Sequence, residues 1–212
     1  MPDTIDTLLL LALPASGKSE IRRYLEQLAP DVAAEDLHLG PTVQLDDYPY
    51  VHMMRRISQE LTDMGGDPVL FADGASSFAE PRDWGTLIRL LNEDYELLGG
   101  TPVRPQSAAI WLFDRFDRAR KAVGVSPALS MLPDQTRERL AAALEGEADE
   151  LWTQLAASVE SWSDGDTVVI EFARGGPEGA AMPLTPPYGY AYSLGQLSEE
   201  IVARSSILYV WV

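Results

Sequence analysis

The residues best placed to do chemistry lie in the run Leu8-Leu9-Leu10-Leu11-Ala12-Leu13-Pro14-Ala15-Ser16-Gly17-Lys18-Ser19-Glu20. An apolar stretch ends in a Pro/Ala/Ser/Gly turn, and Lys18 and Ser19 then open an amphipathic segment. That order of strand, loop and helix suits the binding of phosphate, because loop N–H groups can point at its oxygens and the helix N-terminus adds partial positive charge. The cradle would be Ala15, Ser16, Gly17, Lys18, Ser19 and Glu20. Lys18 would reach the terminal phosphates, and the Ser19 hydroxyl would ligate Mg2+. Gly17 suits a turn in which a Cβ would obstruct the phosphate.

Carboxylates follow two other apolar runs. Val43-Gln44-Leu45 reads as a short buried strand ending at Asp46 and Asp47. Either acid could act on an acceptor hydroxyl or cap the helix expected over 50–64, since Asp and an early Pro both favour a helix start. Thr167-Val168-Val169-Ile170 is β-branched and apolar and meets Glu171. A carboxylate there needs a partner, which a metal-bound water, Lys18 or Arg174 could supply.

The first stretch resembles the Walker A signature of P-loop NTPases, with Gly17, Lys18 and Ser19 matching and Ala12 standing where the pattern has its first Gly. Asp46-Asp47-Tyr48 is similar to the Asp-Asp-aromatic sequence after the second strand in the uridine kinase and phosphoribulokinase group. Glu171 looks like a Walker B acid, and Glu171-Phe172-Ala173-Arg174-Gly175 is similar to the acid-aromatic-x-Arg-Gly stretch of nucleoside monophosphate kinases. The resemblance implies ATP and Mg2+ as cofactors, with Ser19 and Glu171 as metal ligands. It also implies catalytic roles for Lys18, Asp46, Asp47 and Arg174, the arginine binding substrate phosphate.

Composition narrows the alternatives. At 212 residues the chain can bury a full core. A net charge of −17 disfavours general nucleic-acid binding, and no apolar run is long enough to span a bilayer. A secretory signal fits poorly, because Asp3 and Asp6 occupy its positive region. The absence of cysteine excludes disulfides and thiolate sites and suits a cytoplasmic protein. His38 and His52 are the only histidines, so a multi-histidine zinc site is not expected.

The elements that must position these groups can be read in part from periodicity. Ile21, Tyr24, Leu25 and Leu28 mark a helix that Pro30 closes, and 31–42 reads as a polar loop. The segment 68–74 reads as a strand ending at Asp73 or as an extended piece. Trp84, Leu87, Ile88, Leu91, Tyr95 and Leu98 share one helical face. Ala109, Leu112, Phe113, Phe116, Ala119 and Val123 share another, and Asp114, Arg115, Asp117, Arg118, Arg120 and Lys121 read as its solvated side. Leu140 to Val159 continues the helical spacing. The Gly-, Pro- and Tyr-rich run 177–192 reads as a long loop near the site, and Ser193 as the cap of a helix over 194–204, before a last strand.

The expected architecture is α/β: a parallel-sheet P-loop NTPase core from 1–47 and 164–212, with a large, mostly helical insertion over 48–163. Compared with the kinases it resembles, the chain reads as stopping before a lid helix and a final strand. The expected function is phosphoryl transfer from ATP to a small hydroxyl- or phosphate-bearing substrate. The alternative is a nucleotide-dependent switch or adaptor whose helical insertion binds a protein partner, and a third is a P-loop fold that has lost nucleotide binding.

Overall fold

Leu8 to Leu11 is a continuous apolar run because it forms a central parallel strand covered on both faces. The computed structural model describes residues 4–12, 17–72, 78–173 and 185–210. Within them Thr7–Ala12 (β1), Thr42–Asp46 (β2), Thr167–Glu171 (β3) and Ser205–Val210 (β4) form a four-stranded sheet in the order β2-β3-β1-β4. Every pairing is parallel. The chain is therefore α/β with an all-parallel sheet.

Alternate residues of the strands face opposite helical layers. Leu8, Leu10 and Val169 pack with Leu25, Ile21 and Leu28 of Lys18–Gln27 (α1) and the residue that follows it. Leu9, Leu11, Leu45, Val168 and Ile170 pack on the other face. There they meet Ile88, Leu91 and Tyr95 of Asp83–Leu97 (α4), together with Leu197 and Ile201.

α4 also shares a second core. Its Leu87 and Leu90 join residues of Tyr48–Asp63 (α3), Ala108–Ala122 (α5) and Asp134–Ser161 (α6). The stretch between β2 and β3 thus supplies both a helical layer of its own and the cover of one sheet face. No helix among the described residues is long and apolar enough to cross a membrane.

Several local expectations need correction. Pro30 closes α1 as expected but also opens a further helix, Pro30–Asp36 (α2), where a loop was expected. Proline at the first helical position costs no hydrogen bond, so one residue serves both ends. The helix expected over 194–204 is instead Tyr190–Leu194 (α7) and Glu199–Arg204 (α8). Ser198, not Ser193, is the cap, its hydroxyl accepting from the Ile201 N–H.

The turn between them is held from α4. Asn92 Nδ2 donates to the Gln196 carbonyl at 2.9 Å, and Asn92 Oδ1 accepts from the Ser198 N–H at 3.1 Å. These bonds replace those that an unbroken helix would have made. Ser198→Ala is expected to cost about 1 kcal/mol. The check is the midpoint of denaturant unfolding, and an unchanged midpoint would show that Asn92 alone holds the turn.

The charged side of α5 is not a solvated face. Asp114, Arg118 and Lys121 are exposed, but Arg115, Asp117 and Arg120 are buried. Asp117 accepts from the N–H groups of Ala128, Leu129 and Ser130. Arg120 pairs with buried Asp83 at 2.9 Å. Neighbouring segments pack against two sides of α5, so alternating charges end in internal pairs.

Of the segment read as a strand or an extended piece, Phe71 forms an isolated antiparallel bridge with Phe78, and Asp73 lies outside the described residues. At the open edge, Ile207, Leu208 and Tyr209 of β4 are exposed.

Candidate functional site

β1 and β3 are neighbours whose onward connections leave for opposite faces of the sheet. From β1 the chain passes through α1, and from β3 through α7 and α8. In open parallel sheets this divergence leaves a crevice beyond the carboxyl ends of the strands, where ligands bind. The residues singled out from sequence lie at that edge.

Gly17 begins α1 with φ +85°, a left-handed conformation that its missing Cβ makes inexpensive. Its carbonyl accepts from the N–H groups of Glu20 and Ile21. Lys18 then projects toward β3. Its Nζ donates to the Phe172 carbonyl at 3.0 Å and lies 3.5 Å from Glu171 Oε1. One turn on, Arg22 donates to Asp46 Oδ2 at 3.1 Å and lies 3.5 Å from Glu171 Oε2. Lys18 and Arg22 thus clamp Glu171 between them, while Arg22 bridges to β2.

The acids are held by backbone as well. Asp46 and Glu171 are register partners at the ends of β2 and β3. Asp46 Oδ1 accepts from the Tyr48 N–H at 2.8 Å, so this residue also ties down the start of α3. The Asp47 N–H donates to the Glu171 carbonyl, and Asp47 Oδ2 accepts from the Ala173 N–H at 2.8 Å.

Asp47 is buried, and burial pushes its carboxyl up to about 7. The charges of Asp46 and Glu171 push in the same direction, while the Ala173 N–H and Lys18 oppose. Glu171 Oε2 is buried without a hydrogen bond, so one oxygen of this acid is left to the 3.5 Å approach of Arg22. A carboxylate in that condition retains capacity for a further donor or a cation-bound water.

The structure therefore brings together Lys18, Asp46, Asp47 and Glu171 from the start of α1 and the ends of β2 and β3. Glu20 stands apart from them, its carboxylate facing solvent beside Arg23 at 3.3 Å. Ala15, Ser16 and Arg174 lie outside the described residues, as does the side chain of Ser19. Among the described residues no group of three or more His, Cys, Asp or Glu is arranged to hold a metal ion.

One member of the site, Arg22, was not picked out from sequence, although it lies four residues from Lys18 on the same helical face. Tyr190 belongs to the Tyr-rich run read as lying near the site, but the contact it makes there is not legible in sequence. Its hydroxyl donates to the Ala12 carbonyl at 2.7 Å and accepts from the Ala12 N–H at 2.9 Å, at the last residue of β1. Its ring meets Phe172 edge-on, with centroids 5.8 Å apart. A residue far along the chain thus occupies both backbone groups at the entry to the β1–α1 loop.

Beside the clamp opens a cavity of about 330 Å3, between α1, β2, the start of α3 and α6. Arg22 and Asp46 form the edge nearest Lys18, and Tyr50 and Asp94 also line it. No protein-family model matches this chain, and searches of curated proteins and of solved structures found no match either.

Proposed function

We propose that the chain binds ATP with Mg2+ at the β1–α1 loop and transfers the γ-phosphoryl group to a small acceptor seated beside Asp46. The observation that carries this reading is the convergence of Lys18, Glu171, Asp46 and Asp47 at the carboxyl edge of the sheet, where the connections diverge. An acceptor-sized cavity is lined by one of them, Asp46. A nucleotide-binding protein without an acceptor needs no such cavity.

Lys18 would leave the Phe172 carbonyl for the β- and γ-phosphates, exchanging one neutral acceptor for a charged one. Glu171 and the Ser19 hydroxyl are the groups that would hold Mg2+, the remaining ligands being phosphate oxygens and water. Mg2+ commonly binds in this way, with few protein ligands, and the unbonded Oε2 of Glu171 fits it. The metal supplies neutralisation of charge on the phosphates.

Asp46 would orient the acceptor hydroxyl, and Asp47 would receive its proton. The hydroxyl oxygen bonds to the γ-phosphorus, the bond from that phosphorus to the β–γ bridging oxygen breaks, and ADP leaves with the electron pair. A carboxyl near 7 is well matched to such proton transfer. The cytoplasm is the compartment proposed for the chain, since the reaction draws on Mg·ATP.

Calorimetry with Mg·ATP on the wild type and on Lys18→Ala tests the reading. The variant is expected to lose about 2–3 kcal/mol, roughly 30- to 150-fold in Kd. No binding by the wild type would sink it.

The contact of Tyr190 with Ala12 favours a second reading, a nucleotide-dependent switch in which the loop's state is passed to α7. Binding of ATP with no turnover on any acceptor would select it.

A further inference from the structure

We infer that the acceptor is an uncharged or cationic polyhydroxylated molecule of about monosaccharide to nucleoside size, and not a phosphorylated one. This rests on the phosphotransfer reading and narrows it.

The cavity has the small volume of a pocket for such a ligand, about 330 Å3. Glu26, Asp46 and Asp94 all line it, and Arg22 is the lone cation of its lining among the described residues. Arg22 is already committed, at 3.1 Å to Asp46 and 3.5 Å to Glu171. A phosphate dianion entering here would face several carboxylates and find no uncommitted guanidinium among them, which is repulsion built against one class of partner.

Donors would be welcome in the same place. Asp94 and Tyr50 present a fixed polar floor, since the Tyr50 hydroxyl donates to Asp94 Oδ2 at 2.6 Å and accepts from Arg115 Nη1 at 2.9 Å. Both side chains are more than nine-tenths buried, so that floor keeps its geometry whether or not a ligand is bound. Gln44, Gln154 and Ser158 add neutral donors and acceptors, and leucines from β2 and α6 provide an apolar wall. Carboxylates and amides beside an apolar wall suit a ring with hydroxyl or ammonium substituents, in which each donor meets an acceptor and the ring carbons meet the leucines. Arg174, outside the described residues, is the group a phosphorylated acceptor would have to rely on.

The test measures ADP formation from Mg·ATP with three sets of acceptors. The first is neutral sugars, polyols and nucleosides, the second amino sugars and aminocyclitols, and the third sugar phosphates and nucleoside monophosphates. Turnover is expected in the first or second set, with kcat/KM at least 100-fold above any member of the third. For an amine acceptor, Glu26→Lys should raise KM about tenfold, more than it lowers kcat. Turnover confined to the phosphorylated set would overturn the inference and leave phosphotransfer standing. Silence from all three sets while calorimetry shows bound ATP would overturn the inference and favour the switch. Failure to bind ATP at all would remove the reading beneath it, and the calorimetry tells these failures apart.

Discussion

Replacing Arg115 by alanine is expected to destabilise the fold by about 3–5 kcal/mol, the range for removing one partner of a buried ion pair. The side chain is 2% exposed and its guanidinium donates four hydrogen bonds. Nε donates to Glu93 at 2.7 Å, Nη1 to the Tyr50 hydroxyl at 2.9 Å, and Nη2 to Asp94 at 2.7 Å and the Leu90 carbonyl at 3.2 Å. The plane also lies over the rings of Trp111 and Tyr50, at 4.8 and 5.3 Å.

Burial works against the charge, but Tyr50, Asp94 and Glu93 outweigh it and hold the guanidinium above its ordinary pKa. Alanine would leave Asp94 inside the protein with only the Tyr50 hydroxyl to answer it. The double variant Arg115→Met, Asp94→Asn should recover much of the loss, because neither buried charge then remains. Urea unfolding of the single and double variants measures this. A loss below about 1 kcal/mol for Arg115→Ala would show that water reaches Asp94 and that the network carries little.

That network marks where sequence reasoning stopped. The spacing of Ala109, Leu112, Phe113, Phe116 and Ala119 gives the buried stripe of α5, and all five are in the core. Periodicity describes one face of one helix, however, and cannot show that partners also close over its flanks. Arg115 therefore read as a solvated residue although α3 and α4 enclose it.

The site divides in the same way. Gly17 and Lys18 were legible because they follow a buried strand at close spacing, and Asp46, Asp47 and Glu171 because each ends an apolar run. Their mutual approach was not, since it depends on β3 inserting between β2 and β1, a pairing between residues more than a hundred positions apart. The same holds for Tyr190. Its hydrogen bonds to Ala12 arise from the path of the chain after β3, and no local pattern records that path.

Asp47→Asn is expected to make the protein more stable above neutrality while abolishing most of the proposed transfer activity. The Asp47 carboxyl is raised from 3.8 to about 7. Between those values the native state holds a proton that the unfolded chain has released. The contribution to stability is thus complete below about pH 4, falls as pH rises, and is gone above about pH 7. At about 1.4 kcal/mol per pH unit the gap corresponds to a ceiling of about 4 kcal/mol. Asparagine carries no charge to bury, and its carbonyl can still accept from the Ala173 N–H. The variant's unfolding free energy should therefore fall less between pH 4 and 7, and at pH 8 should exceed that of the wild type by about 2–4 kcal/mol.

Activity should move the opposite way. In the proposed mechanism the ionised carboxylate is the proton acceptor, so wild-type transfer should rise with pH and level off above about 7. The amide should cost about 100- to 10,000-fold in kcat. Stability and rate would then share one inflection, because both report the same proton. A wild-type stability curve that is flat from pH 4 to 7 would place the Asp47 carboxyl in contact with solvent. An Asn variant with normal turnover would move proton acceptance to Asp46, the neighbouring acid that already lines the cavity.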